Sequence, residues 1–305
     1  MELITLCNTI NLQPQIKSRV LAFAATFDFT SVAKQLEDFR NYGKMSEVLA
    51  SLQEILGADP DGIKILTCML QASANIHDMY RPKGISDEIY FATMRCYPRF
   101  ISETYKMTGE LCFDRYWWTT RQAGGHLFRI GSLEYEMKHI DGGVVIGIHV
   151  PSDADLSPAA VDRSLESAKH FFAEYFPELS CVEYRCHSWL LDRQLQGFLG
   201  EDSNILSFQR RFEIFDEGEI SSEVVEWVFQ TKSADYSGLP ENTLLQRSLK
   251  RHLLSGGVIR NAYGRVIRES VFREHNSIVC NGTGGIVPLS LIYHSIRPQS
   301  ISLSS

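Results

Sequence analysis

Three stretches of the chain gather side chains able to move protons or attack an electrophile. His149 lies near the end of the apolar run Val144 to Val150, and imidazole is the side chain that takes up a proton near neutral pH. Glu134 and Glu136 lie two apart in the preceding run, so on an extended strand they share a face and either could act as a base. Leu133, Tyr135 and Met137 alternate with them, and that pattern equally describes two solvated carboxylates on a half-buried strand. Cys186-His187-Ser188-Trp189 is the densest reactive run. Neighbouring residues of a strand point to opposite faces, so Cys186 and His187 cannot serve each other as nucleophile and base. His187 and Ser188 stay candidates as separate site residues. The plainer reading makes Trp189 core and leaves His187 hydrogen-bonded beneath the sheet. A hydrolase built on Cys186 would need a histidine from elsewhere in the fold.

The elements that must position these residues follow from periodicity. From Leu12 to Met107 apolar residues recur every three or four positions, as in Val48, Leu49, Leu52, Ile55 and Leu56, which predicts four to six helices before residue 110. Gly57 to Gly62 and Arg81 to Gly84 break the pattern, Ser86 is a candidate cap, and Pro98 implies a kink or a second short helix. The pattern then turns to alternation. Leu133–Met137 is a strand, Asp141-Gly142 a hairpin turn, and Val144–Val150 the returning strand. Ser157-Pro158 opens a helix whose stripe is Val161, Leu165, Ala168, Phe172 and Tyr175. Further on come a strand at Cys181–Trp189, a short helix at Asp192–Leu199, and strands at Arg211–Phe215 and Val224–Gln230. Glu241–Leu254 is a closing helix. The reading is an α+β protein: a helical domain over 1–110, a mixed β-sheet domain flanked by helices over 111–266, and an irregular extension over 267–305.

Composition narrows the function classes. The 305 residues, 44% hydrophobic and 22% charged, are ordinary for a globular protein, and the length suits two domains. A net charge of -7 is the wrong sign for a nucleic-acid partner. Seven scattered cysteines without a CxxC pair, no signal-like start and no apolar span of membrane length point to the cytoplasm. G-x-S-x-G, HExxH, P-loop and dinucleotide motifs are missing, which removes the commonest rival enzymes. Asp153 and Asp155 could hold a metal, but two loop aspartates serve more often as turn formers, and no metal is expected.

Several separated segments carry a resemblance. They are Phe128-Arg-Ile-Gly-Ser-Leu-Glu-Tyr-Glu136, His149-Val-Pro-Ser-Asp-Ala-Asp-Leu-Ser157, Cys186-His-Ser-Trp-Leu-Leu-Asp192, Asp202-Ser-Asn-Ile205 with Phe208-Gln209, and Leu244-Leu-Gln-Arg-Ser248. In this order they resemble the bacterial acyltransferase-domain proteins, which join a helical N-acyltransferase N-terminal domain to a GNAT-like C-terminal domain over nearly all of residues 1 to 266. The resemblance implies direct attack of an amine on the thioester of acyl-CoA or acetyl-CoA within a ternary complex, with a small-molecule acceptor. It also implies that the strand ending at Val150 offers main-chain groups to the thioester, and that the helix beginning at Ser157 holds the pyrophosphate with its dipole and free amides.

On that scheme the catalytic candidates are His149, His187, Ser188, Glu136 and Glu134, and the cofactor contacts are Val150, Ser152, Ser157 and Asn204. Asp202-Ser203-Asn204 reads first as a helix cap. Trp117 and Trp118 read as packing near the domain junction. The family's glutamine- or arginine-rich, glycine-containing phosphate loop is replaced here by Pro151–Pro158. A CoA held mainly by its pantetheine arm, or a different acyl carrier, suits that loop. The alternative function is a non-catalytic ligand-binding or regulatory protein on the same fold.

Overall fold

Breaks in apolar periodicity divide the N-terminal region more finely than expected. In the computed structural model, which describes residues 1–231, 233, 235–267, 279–280 and 286–287, seven α-helices precede residue 110 among the described residues. They are α1 (Leu3–Thr9), α2 (Pro14–Ala24), α3 (Ala33–Asp38), α4 (Met45–Leu56), α5 (Ile63–Lys83), α6 (Asp87–Met94) and α7 (Cys96–Thr108). The expectation of four to six fails because short helices escape a periodicity window. One break is Asn11, a non-glycine residue at φ 56 between α1 and α2. Pro98 sits in the first turn of α7, where its missing N–H interrupts no helical bond. Gly62, at φ 69, begins α5, and a Cβ there would stand 2.0 Å from the Phe113 carbonyl oxygen, so the turn requires glycine. Buried along most of its length by Leu66, Met69, Leu70 and Ile76, α5 is the axis of the helical layer.

Helix α8 (Tyr116–Gly124) leads into the sheet, which is built from β1 (Leu127–Ile130), β2 (Leu133–Ile140) and β3 (Gly143–His149), then α9 (Pro158–Tyr175) and β4 (Tyr184–Ser188). After these come α10 (Asn204–Gln209), β5 (Phe212–Asp216), α11 (Val224–Phe229), α12 (Leu244–Leu254) and β6 (Ala262–Val266). The sheet order is β1-β2-β3-β4-β6-β5. Strands β3 and β4 are parallel, joined through α9, and their pairing runs from Ile146↔Tyr184 to Ile148↔Cys186. One face of the sheet packs on α9 through an aromatic core in which Phe128 meets Phe171 at 4.8 Å and Phe172 at 6.1 Å. Leu195, Leu206, Val224, Phe229, Leu249 and Leu253 form a second cluster beneath α11 and α12.

The hairpin, the α9 stripe and α12 match their sequence readings. Val224–Gln230 does not: it is helix α11. Its β-branched residues favour a strand in isolation, but Ser221 Oγ accepts from the amides of Glu223 and Val224 and starts a helix whose Val224 and Phe229 are buried. Asp192–Leu199 forms a 3₁₀ turn at Arg193–Gly197 rather than an α-helix. Strands β1 and β6 went unread because one is four residues long and the other, Ala262-Tyr-Gly-Arg-Val266, has no clean alternation. Inserted between β4 and β5, β6 moves β5 to the sheet edge.

Residues 1–267 make one compact unit and 268–305 a second. In the second, the described residues are β7 (Val279–Cys280) paired antiparallel with β8 (Ile286–Val287). The rest of the expected irregular extension, including its serine-rich end, lies outside the described residues. No helix among the described residues is long and apolar enough to cross a membrane.

Phe172 is fully buried against Phe128, Phe171, Phe176 and Tyr184. Phe172→Ala should therefore cost about 3–5 kcal/mol of unfolding free energy in urea titration, whereas Phe215→Ala, at a half-exposed side chain, should cost less than about 0.5 kcal/mol.

Candidate active site

Strand β2 turns Glu134 and Glu136 toward the helical layer, and both are buried, at 2% and 1% exposure. The solvated reading of these residues is therefore wrong: alternation identified their shared face, and helices cover that face. An isolated carboxylate cannot stay ionised in such a place without partners. Glu136 has three. Tyr42 donates its hydroxyl to Oε1 at 2.7 Å, Arg121 on α8 donates Nε to the same oxygen at 2.9 Å, and His149 Nε2 meets Oε2 at 2.8 Å. Burial alone would raise the Glu136 carboxyl, but His149, Arg121 and Tyr42 outweigh it and hold the group at about 2. Tyr42, pushed upward by burial and by the Glu136 charge, keeps the proton it donates.

Register explains how His149 reaches Glu136. The residue opposite Glu136 on β3 is Gly147, so His149 is its diagonal neighbour. With no side chain at Gly147 the ring can lean across, and a Cβ built there would lie 3.5 Å from Nε2. Trp118 closes the other side of the ring edge-on at 4.8 Å, and the Arg121 guanidinium covers the Trp118 face at 4.4 Å. Trp118 is thus more than junction packing, while Trp117 is half exposed. An ionised carboxylate only accepts, so His149 donates through Nε2 and Nδ1 is left as its basic nitrogen.

A second buried group centres on Glu134, which Arg99 of α7 meets at 2.8 Å. Arg129 of β1 and Arg99 also reach Asp153 in the loop after β3, at 2.8 and 3.4 Å. Ser152 donates to Glu103, one turn past Arg99. The Asp155 carboxylate accepts from the Ser157 amide at 2.8 Å. Both loop aspartates therefore have defined work: Asp153 ties the loop to two arginines, and Asp155 shapes the entry to α9. Among the described residues no His, Cys, Asp and Glu grouping has the form of a metal site.

The remaining expected site residues fall as follows. Val150 follows β3 directly, where the main chain has passed the last β3–β4 pair. Ser157 occupies the N-cap position of α9 with Pro158 after it, but its side chain makes no cap bond. Asn204 is the first residue of α10, capped by Ser203. Ser188 Oγ accepts from the Leu190 amide and caps a 3₁₀ turn. His187 shares the sheet face of His149, one step past Ile148↔Cys186, and stacks on Tyr263 at 3.9 Å with Glu219 3.2 Å from Nε2. It is hydrogen-bonded, as the plainer reading held, and its partner is the exposed Glu219. Cys186 is buried on the other face, and burial pushes its thiol up to about 12, which removes the cysteine hydrolase reading.

Sequence reasoning missed Tyr42, Arg99, Arg121 and Arg129. The available signal was two alternating glutamates facing one layer, since buried carboxylates demand cations. Glu136 titrates lower in the folded protein than its ordinary 4.5, so its ionised form contributes stability above that value and loses it as pH falls toward about 2. Glu136→Gln should accordingly be less stable than the parent at pH 7, with the gap narrowing between pH 5 and pH 2 in urea titrations.

Two family domains match the chain in succession: the N-acyltransferase N-terminal domain over residues 1–125 and the GNAT-like C-terminal domain over residues 127–266. No curated protein matches it significantly. Among solved structures, an acyltransferase in complex with decanoyl-CoA and teicoplanin is 24% identical with a TM-score of 0.70, and 86% of each chain is covered. An acyltransferase bound to decanoyl-CoA is 23% identical with a TM-score of 0.70 and the same coverage. So is an acyltransferase mutant bound to octanoyl-CoA. At this identity the likeness establishes the fold. Matched by both domains in order, the chain belongs to the family that joins an N-acyltransferase N-terminal domain to a GNAT-like C-terminal domain.

Proposed function

We propose that the protein is an acyltransferase that moves an acyl group from acyl-CoA to an amine on a small-molecule acceptor. The observation that carries this reading is the Glu136–His149 couple beside the point where β3 and β4 stop pairing. Support comes from the shared fold of acyltransferases whose structures contain decanoyl-CoA, octanoyl-CoA and, in one case, teicoplanin. Five thiols are free among the described residues, but Cys181 is disulfide-bonded, so the cysteines do not support the expectation of a reducing cytoplasm.

In this reading the amine nitrogen attacks the thioester carbonyl carbon, the new C–N bond forms, the C–S bond breaks, and CoA leaves as a thiolate. His149 accepts the amine proton at Nδ1, after which the proton passes to the departing sulfur. Glu136 holds the ring in the Nε2–H tautomer and balances the imidazolium charge. Trp118 restricts the ring to that pose. Main chain from Val150 onward, free of β4, is available to the pantetheine arm, and the start of α9 at Ser157 meets the pyrophosphate through its dipole. Asp153, neutralised by Arg99 and Arg129, repels that phosphate less than its sequence implies. His187, on the same face, lines the acceptor side together with Tyr263. Glu134 acts through the loop and not on the substrate.

The test is release of the CoA thiol from octanoyl-CoA and decanoyl-CoA in the presence of a panel of amines. His149→Ala should lower kcat by about 10²–10⁴-fold while the Kd for acyl-CoA, measured by calorimetry, changes less than about threefold. Undiminished turnover in that variant would overturn the role of His149. Absence of acyl-CoA binding to the parent would overturn the function itself.

A further inference from the structure

The strand that β6 displaces to the edge of the sheet borders a groove outside the site described above. Phe212 and Ile214 of β5 line it together with the 3₁₀ turn Arg193–Gly197 and α10, and its volume is about 610 Å³. Small-molecule sites span about 300–1,000 Å³. Pairing places Ile214 opposite Gly264 and Gly264 opposite Cys186, so the groove lies on the sheet face away from His149.

Its chemistry is specific. Leu199, Leu206, Phe212 and Ile214 supply an apolar wall, and Arg193 and Arg210 supply two guanidinium groups. Each guanidinium donates only to a main-chain carbonyl, Arg193 to Ile214 at 3.1 Å and Arg210 to Glu201 at 3.0 Å. Among the described residues neither forms an ion pair, whereas Arg185, Arg211 and Arg265 of the same sheet region each hold a carboxylate. Of the two acids in the groove, Glu213 is already held by Arg265 through two bonds of 2.9 Å. That leaves Glu201 against two arginines, a net excess of one positive charge, which suits a monoanion better than a phosphate dianion. The two N–H groups of a single guanidinium match a carboxylate in geometry as well as charge.

We propose that this groove is a second ligand site that takes a medium-chain aliphatic carboxylate, its head between Arg193 and Arg210 and its chain along Leu199, Leu206 and Phe212. The site is independent of the acyl-transfer reading, since it shares no residue with it.

Calorimetry on the full chain with hexanoate, octanoate and decanoate tests the assignment, with inorganic phosphate as the comparison. Kd should fall about two- to fourfold for each added methylene and rise at least tenfold for decanoate in the Arg193→Gln/Arg210→Gln double variant. Both side chains are exposed, and circular dichroism should show the variant folded as the parent. Because a fatty acid could also enter an acyl path near His149, a diazirine-bearing decanoate is cross-linked and mapped by mass spectrometry. Label within residues 194–214, unaffected by saturating CoA, supports the site. Label at residues 144–150 instead, phosphate binding as tightly as decanoate, or full decanoate affinity in the double variant overturns it.

Discussion

A buried carboxylate sets the terms for the seam between helices and sheet. Glu136 lies almost wholly out of water, and removing one partner from such a charge typically costs about 3–5 kcal/mol. The chain therefore has to deliver Tyr42, Arg121 and His149 to the same two oxygens. They come from a 3₁₀ turn in the helical region, from α8 and from β3. The helical layer and the sheet are consequently parts of one unit, because neither alone can satisfy this group.

The Glu134 group repeats that logic one residue pair along β2 and extends it to the loop that precedes α9. Arg99 links Glu134 to Asp153, and Arg129 reaches the same aspartate from β1. A loop rich in acidic residues, which reads in sequence as hostile to phosphate, is thereby fixed in place and largely neutralised at Asp153. Two ion clusters on one strand thus do different work: one orients an imidazole, and the other aims the start of a helix.

How much of this was legible beforehand depended on whether a residue's meaning is local. The Asp141-Gly142 hairpin, the stripe of α9 and the body of α12 are determined by neighbours in sequence and match their sequence readings, while the Thr243–Gln246 capping box that starts α12 was not read. His149 and the two glutamates were singled out from type and spacing alone. Their pairing was not, because the diagonal contact across Gly147 depends on strand register, and the covering arginines arrive from up to 35 residues away in sequence, from Arg99 to Glu134. The misread segment Val224–Phe229 shows the same limit from the other side. Its propensity favours a strand, while its helix is set by the Ser221 hydroxyl, which accepts from the Glu223 and Val224 amides, and by burial with Leu249 and Leu253.

The claim on which the functional account rests is that Glu136 fixes the His149 ring with its proton on Nε2 and its lone pair on Nδ1. Long-range ¹⁵N–¹H correlation spectra of histidine-labelled protein at pH 8, with His149→Gln used to assign the signal, read that tautomer directly. The account predicts a protonated Nε2 and an unprotonated Nδ1 for His149, with the preference lost in Glu136→Gln. A proton on Nδ1 in the parent protein, or a tautomer indifferent to Glu136, would contradict it.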